Sequence, residues 1–187
     1  MIRPIYLYGH PILRKETKDI PLDYPNLKAL LEDMFETMEN ADGVGLAAPQ
    51  IGLNDRILVI DLTPCEEQDS SCAGFKKVFI NSHIIEREGE EVLMEEGCLS
   101  IPHIHEKVAR KDKIRIQYLD EDLNPHDEVF EGYKARVIQH EHDHLEGIMF
   151  VDHLSGIRKQ MIRSKLNKIM EGRVNCSYST KAAPAKK

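Results

Sequence analysis

The sequence has no apolar run approaching the ~20 residues that a transmembrane helix needs, so we expect no membrane span. It also has no excess of positive charge. The formal net charge of −7 argues against a general affinity for nucleic acid or anionic membranes, although it leaves room for one local basic surface. The first residues show neither a signal-peptide core nor a long Arg/Ser-rich transit segment, so the expected location is the cytoplasm. Tryptophan is absent, which carries no functional message.

Cysteine is scarce, with four residues in a chain of 187. A chain of this length without a secretion signal does not need disulfides, so we expect reduced thiols that remain available to a metal. The apolar fraction of 41% and the charged fraction of 30% are ordinary for a soluble globular protein. We therefore predict one domain over residues 1–172, followed by a disordered tail over residues 173–187.

Hydrophobic spacing predicts an α+β fold. Residues 25–40 carry an apolar stripe at helical spacing, which predicts an N-terminal amphipathic helix. Strands are predicted at residues 56–62, 78–85, 92–94 and 108–119, and the last alternates as a half-exposed antiparallel strand does. A helix follows from about residue 133. This order indicates antiparallel strands packed around a central metal-binding helix.

A C-terminal helix is predicted over residues 153–171. Its expected apolar side consists of Leu154, Ile157, Met161, Ile162, Leu166 and Ile169. Its polar surface is strongly basic, with Arg158, Lys159, Arg163, Lys165 and Lys168. A charged helical face is most often simply solvated, but it can also bind an anionic partner.

The most informative stretch is residues 139–144, QHEHDH, which lies on the predicted central helix. His140 and His144 are four residues apart, so both imidazoles project from one face of a helix. Glu141 adjoins the first histidine. This H-E-x-x-H pattern is typical of metal hydrolases, in which the histidines bind a divalent cation and the glutamate transfers protons. An exposed histidine-rich helix without a ligand is the alternative.

Two histidines leave a catalytic metal site one protein ligand short. Downstream candidates for the third ligand are His153 and Glu171, and the upstream candidate is Cys98, between Gly97 and a proline-containing turn. A cysteine such as Cys98, taken alone, is more often a buried structural residue. Cys65 and Cys72 could form a separate metal site, but no second cysteine pair accompanies them.

Residues 43–52, GVGLAAPQIG, combine glycines with small side chains. Such a stretch either lets the backbone approach a ligand closely or serves as a helix-to-strand loop. It lacks the G-K-[ST] ending of a phosphate loop.

Three separated stretches together resemble the signature motifs of the peptide deformylases. They are GVGLAAPQ at residues 43–50, EGCLS at residues 96–100 and QHEHDH at residues 139–144. The resemblance extends from HPILR at residues 10–14 to about Phe150, which is most of the chain. It implies removal of the N-terminal formyl group from the formyl-methionine of newly synthesised proteins, with release of formate.

The resemblance also implies a role for each matching residue. Cys98, His140 and His144 would bind the metal, and Glu141 would be the general base and acid. Gln50 and the Leu99 backbone N–H would stabilise the oxyanion. The implied substrate contacts are the Gly45 backbone and the side chains of Val44 and Val137, although core packing explains Val137 equally well.

The implied chemistry is hydrolysis by a metal-bound water, whose pKa a divalent ion lowers from 15.7 toward about 7. A Cys-His-His ligand set suits zinc and also iron. The resemblance points to Fe(II) in the cell, with nickel, cobalt or zinc able to take its place. It also suggests ribosome contact through the basic C-terminal helix.

The sequence does not decide between alternatives for several residues and for the function. His103 and His105 depart from many members of the family, which makes substrate contacts beyond methionine uncertain. Asp143 could pair with Arg110, or it could be exposed. A zinc endopeptidase and a metal-storage or metal-sensing protein are the rival functions, and formate release from a formylated peptide would separate them from a deformylase.

Overall fold

The computed structural model describes residues 1–184, and its helices and strands form an α+β fold as predicted. The three helices are α1 (Leu27–Asn40), α2 (Gly132–Leu145) and α3 (Gly156–Met170). The strands are β1 (Ile5–Tyr6), β2 (Gly45–Ala47), β3 (Ile57–Asp61), β4 (Lys76–Cys98), β5 (Ile101–Leu119), β6 (Pro125–Glu131) and β7 (Thr180–Lys181). Within residues 1–184, no helix has both the length and the apolarity that crossing a bilayer requires.

Strands β2 to β6 form one antiparallel sheet in chain order, so each strand pairs with its neighbour in the sequence. The long pair β4–β5 dominates this sheet, and register shifts along it bend the hairpin. Residues 78–85 and 92–94, predicted as two strands, belong to the single strand β4. The alternation predicted for residues 108–119 is present, since Ile114 and Ile116 are buried while Gln117 is exposed.

Helix α2 lies in the interior, and every residue from Ala135 to Leu145 is buried. It contacts all five strands of the sheet β2–β6. Gly147 follows the helix with a φ of +72°, which glycine adopts without strain, and this agrees with the predicted stop. The helix that carries the histidines is therefore buried against the sheet.

Helix α1 buries the predicted apolar stripe, with Leu30, Leu31, Met34 and Met38 in the core. Helix α3 differs from the prediction in two respects. It begins at Gly156, where the Ser155 side chain caps it, and a short 3-10 turn occupies residues 150–153 instead. Ile157 and Met161, expected on the apolar side, are exposed, because only the face with Ile162, Leu166 and Ile169 packs against the fold.

The expected disordered tail is wrong for the described residues 173–184, and residues 185–187 lie outside the described part of the chain. Strand β7 pairs in parallel with β1, and the backbone N–H of Ile5 donates to the Ser179 carbonyl over 2.9 Å. Val174 and Ala182 pack against the core. The polar composition of the tail misleads because backbone hydrogen bonds to the free edge of a strand need no apolar side chains. The ordered fold therefore extends past the predicted boundary at residue 172.

Candidate metal centre and cleft

Helix α2 places the two histidines of the motif beside each other in the interior. The ring centroids of His140 and His144 are 5.3 Å apart, one helical turn along the same face. His144 is fully buried and His140 is 8% exposed. Burial lowers the pKa of His144 to about 3, which keeps its ring neutral and its lone pair available to a cation.

Cys98 reaches these histidines from the end of β4, where a two-residue turn leads into β5. Its Sγ lies 3.3 Å from His144 Nε2. The ligand atoms of Cys98, His140 and His144 all lie within 4.8 Å of one another, a spacing that one metal ion can span. Within residues 1–184, no other group of three or more Cys, His, Asp or Glu side chains is arranged for a metal.

The other candidates for the metal ligand are placed elsewhere. His153 Nε2 lies 2.7 Å from Asp143 Oδ2, and Glu171 caps the end of α3. Cys65 and Cys72 are free cysteines in the connection between β3 and β4, where Cys72 is fully buried. The site that the structure brings together is therefore the Cys98, His140 and His144 group.

A buried charged network holds His140 in its orientation. Glu96 Oε2 lies 2.8 Å from His140 Nδ1, which leaves the Nε2 atom of the ring for a cation. Glu96 also accepts hydrogen bonds from Arg110 Nε at 2.6 Å and Arg136 Nη1 at 2.8 Å. Burial alone would raise the pKa of Glu96, but the hydrogen bonds with His140 and Arg110 outweigh it and lower that pKa well below its ordinary value.

Arg110 extends this network back to α2. Its Nη1 donates to Asp143 Oδ2 over 2.7 Å, which confirms the pairing that the sequence suggested and rules out the exposed alternative for Asp143. Arg110 thus links β5 to both the strand with Cys98 and the helix with the histidines. His142 points to the other side of α2, where its Nε2 lies 3.2 Å from the Ser82 carbonyl.

Glu141 lies beside the metal-ligand group, and its Oε2 is buried without a hydrogen-bond partner among residues 1–184. Burial raises the pKa of Glu141 to about 7. Gly45 packs directly against this carboxylate, since a Cβ at Gly45 would overlap it and lie 2.7 Å from Glu141 Cδ. The glycine-rich stretch is therefore a close approach of the backbone to the site, rather than only a connecting loop.

Gln50 and Leu99 both lie next to Cys98. Gln50 accepts the Ala47 N–H at its Oε1 over 2.8 Å, which turns its Nε2 toward Cys98 Sγ at 3.5 Å and Ser100 Oγ at 3.2 Å. Leu99 occupies the turn after Cys98. Within residues 1–184, the structure shows no acceptor for the Leu99 N–H.

A cleft of about 400 Å³ opens over the site, and Gly45, Gln50, Leu99, His140 and Glu141 are among the residues that line it. A smaller cavity of about 100 Å³ adjoins it. Val44 and Val137 line this cavity beside His140 and Glu141, although Val137 also packs in the core. His140 and Glu141 thus line both the cleft and the adjoining cavity.

Three parts of the site were not predicted from the sequence: Glu96, Arg136 and the residues of the tail that border the cleft. A position near the site could have been predicted for Glu96, because residues two apart on a strand share a face and Glu96 precedes Cys98 by two. Cys176, Ser177 and Tyr178 line the cleft without any local signal. His103 and His105 also line it, and His103 Nε2 lies 2.7 Å from the Asn175 carbonyl.

The buried donor set fits a divalent cation. Thiolate and imidazole are both ordinary ligands of zinc, and both also bind iron. The partnerless Oε2 atom of Glu141 indicates that a solvent molecule or substrate belongs beside it. The arrangement can therefore hold one cation next to a carboxylate at the base of an open cleft.

The chain is similar to known proteins over most of its length. The family model described as polypeptide deformylase matches residues 2–160. The peptide deformylase of Flavobacterium johnsoniae is 50% identical over an alignment of 194 residues, covering 100% of this chain and 99% of that protein. The crystal structure of a peptide deformylase from Legionella pneumophila is 38% identical with a TM-score of 0.80, covering 92% of this chain and 98% of that one. The Thermotoga maritima peptide deformylase structure is 39% identical with a TM-score of 0.75, covering 83% and 99% of the respective chains.

The buried network around Glu96 predicts a large effect of Glu96→Ala. The change would leave Arg110 and Arg136 buried without their shared carboxylate, so we expect the free energy of unfolding to fall by about 3–5 kcal/mol. Urea unfolding of the metal-free protein measures this. Glu95→Ala, at the exposed neighbouring position, is the matched control and should change stability by less than about 0.5 kcal/mol. Equal effects of the two changes would contradict the account of the network.

Proposed function

The chain belongs to the peptide deformylase family, and on that premise we propose how its residues remove the formyl group from N-terminal formyl-methionine and release formate. The observation that carries this proposal is the placement of Glu141 beside the Cys98, His140 and His144 group at the base of the cleft. A formyl amide bound in that cleft would meet a proton-transfer group and a cation site together.

Cys98 Sγ and one nitrogen of each histidine would hold the cation. The cation would supply Lewis-acid chemistry, lowering the pKa of a coordinated water so that hydroxide forms at neutral pH. The chain provides three donors, which is the usual protein contribution to catalytic zinc sites and leaves a position for solvent. Glu96 fixes the His140 ring for this role through Nδ1.

Glu141 is the proposed proton carrier. Its pKa of about 7 lets the carboxylate accept a proton from the attacking water and later release it to the departing amine. This second step matters because an amide nitrogen leaves poorly without a proton. The close packing of Gly45 confines the carboxylate beside the ligand group.

Gln50 and Leu99 are the proposed oxyanion donors. Both residues line the cleft together with Cys98, so the Gln50 Nε2 and the Leu99 N–H are candidates to reach a formyl oxygen bound near it. Removal of one such donor typically costs about 2.7–4 kcal/mol of transition-state stabilisation.

The peptide itself is proposed to bind along β2. This strand is at one edge of the sheet, and an extended peptide can hydrogen-bond to a free strand edge at Gly45. The methionine side chain would enter the small cavity lined by Val44 and Val137. Nascent chains carrying formyl-methionine are made in the cytoplasm, which is the location that we propose.

We propose Fe(II) as the cation in the cell, with zinc, nickel or cobalt able to occupy the same ligands. Thiolate and imidazole donors support this, because neither excludes iron. The proposal concerns the ion only, since the ligand residues are the same for each metal.

The exposed face of α3 is the proposed contact with the ribosome. Arg158 is engaged with Glu106 and Lys159 with the Asp152 carbonyl, whereas Arg163, Lys165 and Lys168 are exposed. Three exposed cations beside Ile157 and Met161 offer a surface for an anionic partner.

The first test is formate release from formyl-Met-Ala-Ser, with unformylated peptide and a metal chelator as controls. The wild-type protein should release formate, and the chelator should stop it. Glu141→Ala should bind metal as the wild type does but lose at least about a hundredfold in kcat, because general acid–base catalysis contributes 10²–10⁴-fold. Retained turnover in Glu141→Ala would refute the proton-transfer role, and peptide-bond cleavage without formate would favour an endopeptidase.

The choice of metal can be tested by exposure to air. A chain loaded with Fe(II) should lose activity aerobically because its thiolate and iron are oxidised, whereas the same chain loaded with nickel should retain activity. Anaerobic samples of both are the control. Equal aerobic stability, or negligible activity of the iron form without oxygen, would count against iron.

The ribosome proposal is tested by charge reversal on α3, since its inner face is part of the core and truncation would disturb the fold. The triple change of Arg163, Lys165 and Lys168 to Glu should abolish co-sedimentation with ribosomes. A control reverses the same number of exposed charges elsewhere, at Lys15, Lys28 and Lys107. Undiminished binding of the α3 variant, or equal loss in both variants, would exclude a specific contact through α3.

A further inference from the structure

The segment after α3 borders the cleft, and the proposed function assigns no role to it. Cys176, Ser177 and Tyr178 line the same cleft as Gln50 and Glu141. This stretch lies more than 30 residues beyond the metal ligands in sequence, so its presence there is a result of folding rather than of the motif.

Hydrogen bonds to its backbone carbonyls hold this segment in place on both sides of Tyr178. On its C-terminal side, the Ile5 N–H donates to the Ser179 carbonyl and the Leu7 N–H to the Lys181 carbonyl, each over 2.9 Å. On its N-terminal side, His103 Nε2 lies 2.7 Å from the Asn175 carbonyl. The segment is therefore anchored at both ends where it passes the cleft.

Tyr178 connects the segment to the turn after Cys98. Its hydroxyl donates to the Leu99 carbonyl oxygen over 2.8 Å. Burial raises the pKa of Tyr178 well above its ordinary value, so the hydroxyl keeps its proton and remains a donor at neutral pH. The bond spans 79 residues of sequence, so it is a purely tertiary contact.

The two-residue turn of Leu99 and Ser100 is restrained at several other atoms. The Tyr8 N–H donates to the Ser100 carbonyl over 2.8 Å, and Gln50 Nε2 donates to Ser100 Oγ over 3.2 Å. The Leu99 side chain packs against Gly43, where a Cβ would lie 2.7 Å from Leu99 Cδ1. None of these contacts involves the Leu99 carbonyl, which is held by the hydroxyl of Tyr178.

We propose that Tyr178 is a positioning residue for deformylation, whose hydroxyl holds the Leu99 carbonyl and so restrains the turn that presents the Leu99 N–H to the formyl oxygen. This inference rests on the proposed function. The N–H and the carbonyl of Leu99 belong to consecutive peptide units joined at its Cα. The preceding unit follows Cys98, which is held in β4, and the bond from Tyr178 holds the following unit, so rotation at Leu99 is restricted from both sides. An oxyanion donor is most effective when it is held in place before charge develops.

The test replaces Tyr178 with Phe, which removes only the hydroxyl. The kcat for formyl-Met-Ala-Ser should fall roughly fivefold, the effect of about one lost neutral hydrogen bond, while KM stays within about twofold. Rates are expressed per bound metal, and the urea midpoint is measured alongside. Tyr24→Phe is the matched control, because it removes a hydroxyl bonded to Asp55 Oδ2 at 2.6 Å outside the cleft, and its kcat should match the wild type.

The possible outcomes distinguish the positioning role of Tyr178 from the proposed function on which it rests. Formate release by the wild type with an unchanged kcat in Tyr178→Phe overturns the positioning role and leaves the deformylase proposal intact. A fall in kcat that Tyr24→Phe shares, a fall that metal loss fully explains, or a raised KM with kcat unchanged also overturns it. A wild type that releases no formate overturns the proposed function and this inference together.

Discussion

The burial of six successive polar side chains on α2 is the constraint on which the rest of the structure depends. Residues 139–144 are all buried, although none of them is apolar. A buried polar group is costly unless it is hydrogen-bonded, and a buried charge is costly unless it is paired. The surrounding fold must therefore supply a partner for each of these side chains.

The sheet supplies most of these partners. The Lys111 carbonyl accepts from Gln139, the Ser82 carbonyl lies against His142, and Arg110 donates to Asp143. Three of the six side chains each keep one buried polar atom without a hydrogen-bond partner among residues 1–184. These atoms are Glu141 Oε2, His142 Nδ1 and His144 Nδ1. Of these residues, Glu141 lines the cleft, and we interpret its partnerless Oε2 atom as the place of a solvent molecule or substrate. His144 faces Cys98 through Nε2, so this nitrogen is the one available to a cation.

The sequence predicted the parts of this arrangement that depend on local spacing. Helical periodicity placed His140 and His144 on one face, and the two-residue alternation identified β5 as half-exposed. The α+β class and the family followed from such patterns together with the three motifs. The roles of Gln50, Leu99, Gly45, Val44 and Val137 remain predictions, although the structure brings all five to the cleft or its adjoining cavity.

Features set by contacts between distant segments were not predicted. The exposure of Ile157 depends on which face of α3 meets the core, whereas helical spacing assigned all the apolar residues of the helix to one broad side. The order of residues 173–184 depends on a free strand edge at β1, and the contact of Tyr178 with Leu99 depends on that pairing. Such contacts produce no periodic pattern in the sequence, because neither partner differs from its neighbours in a way that indicates the contact.

The central claim is that one cation binds to Cys98, His140 and His144 and keeps a position open for solvent. X-ray absorption spectroscopy of the zinc-loaded protein tests this most directly. The account predicts one sulfur at about 2.3 Å, two imidazole nitrogens at about 2.0–2.1 Å and one exchangeable light atom. A shell without sulfur, or one completed by four protein ligands, would contradict it.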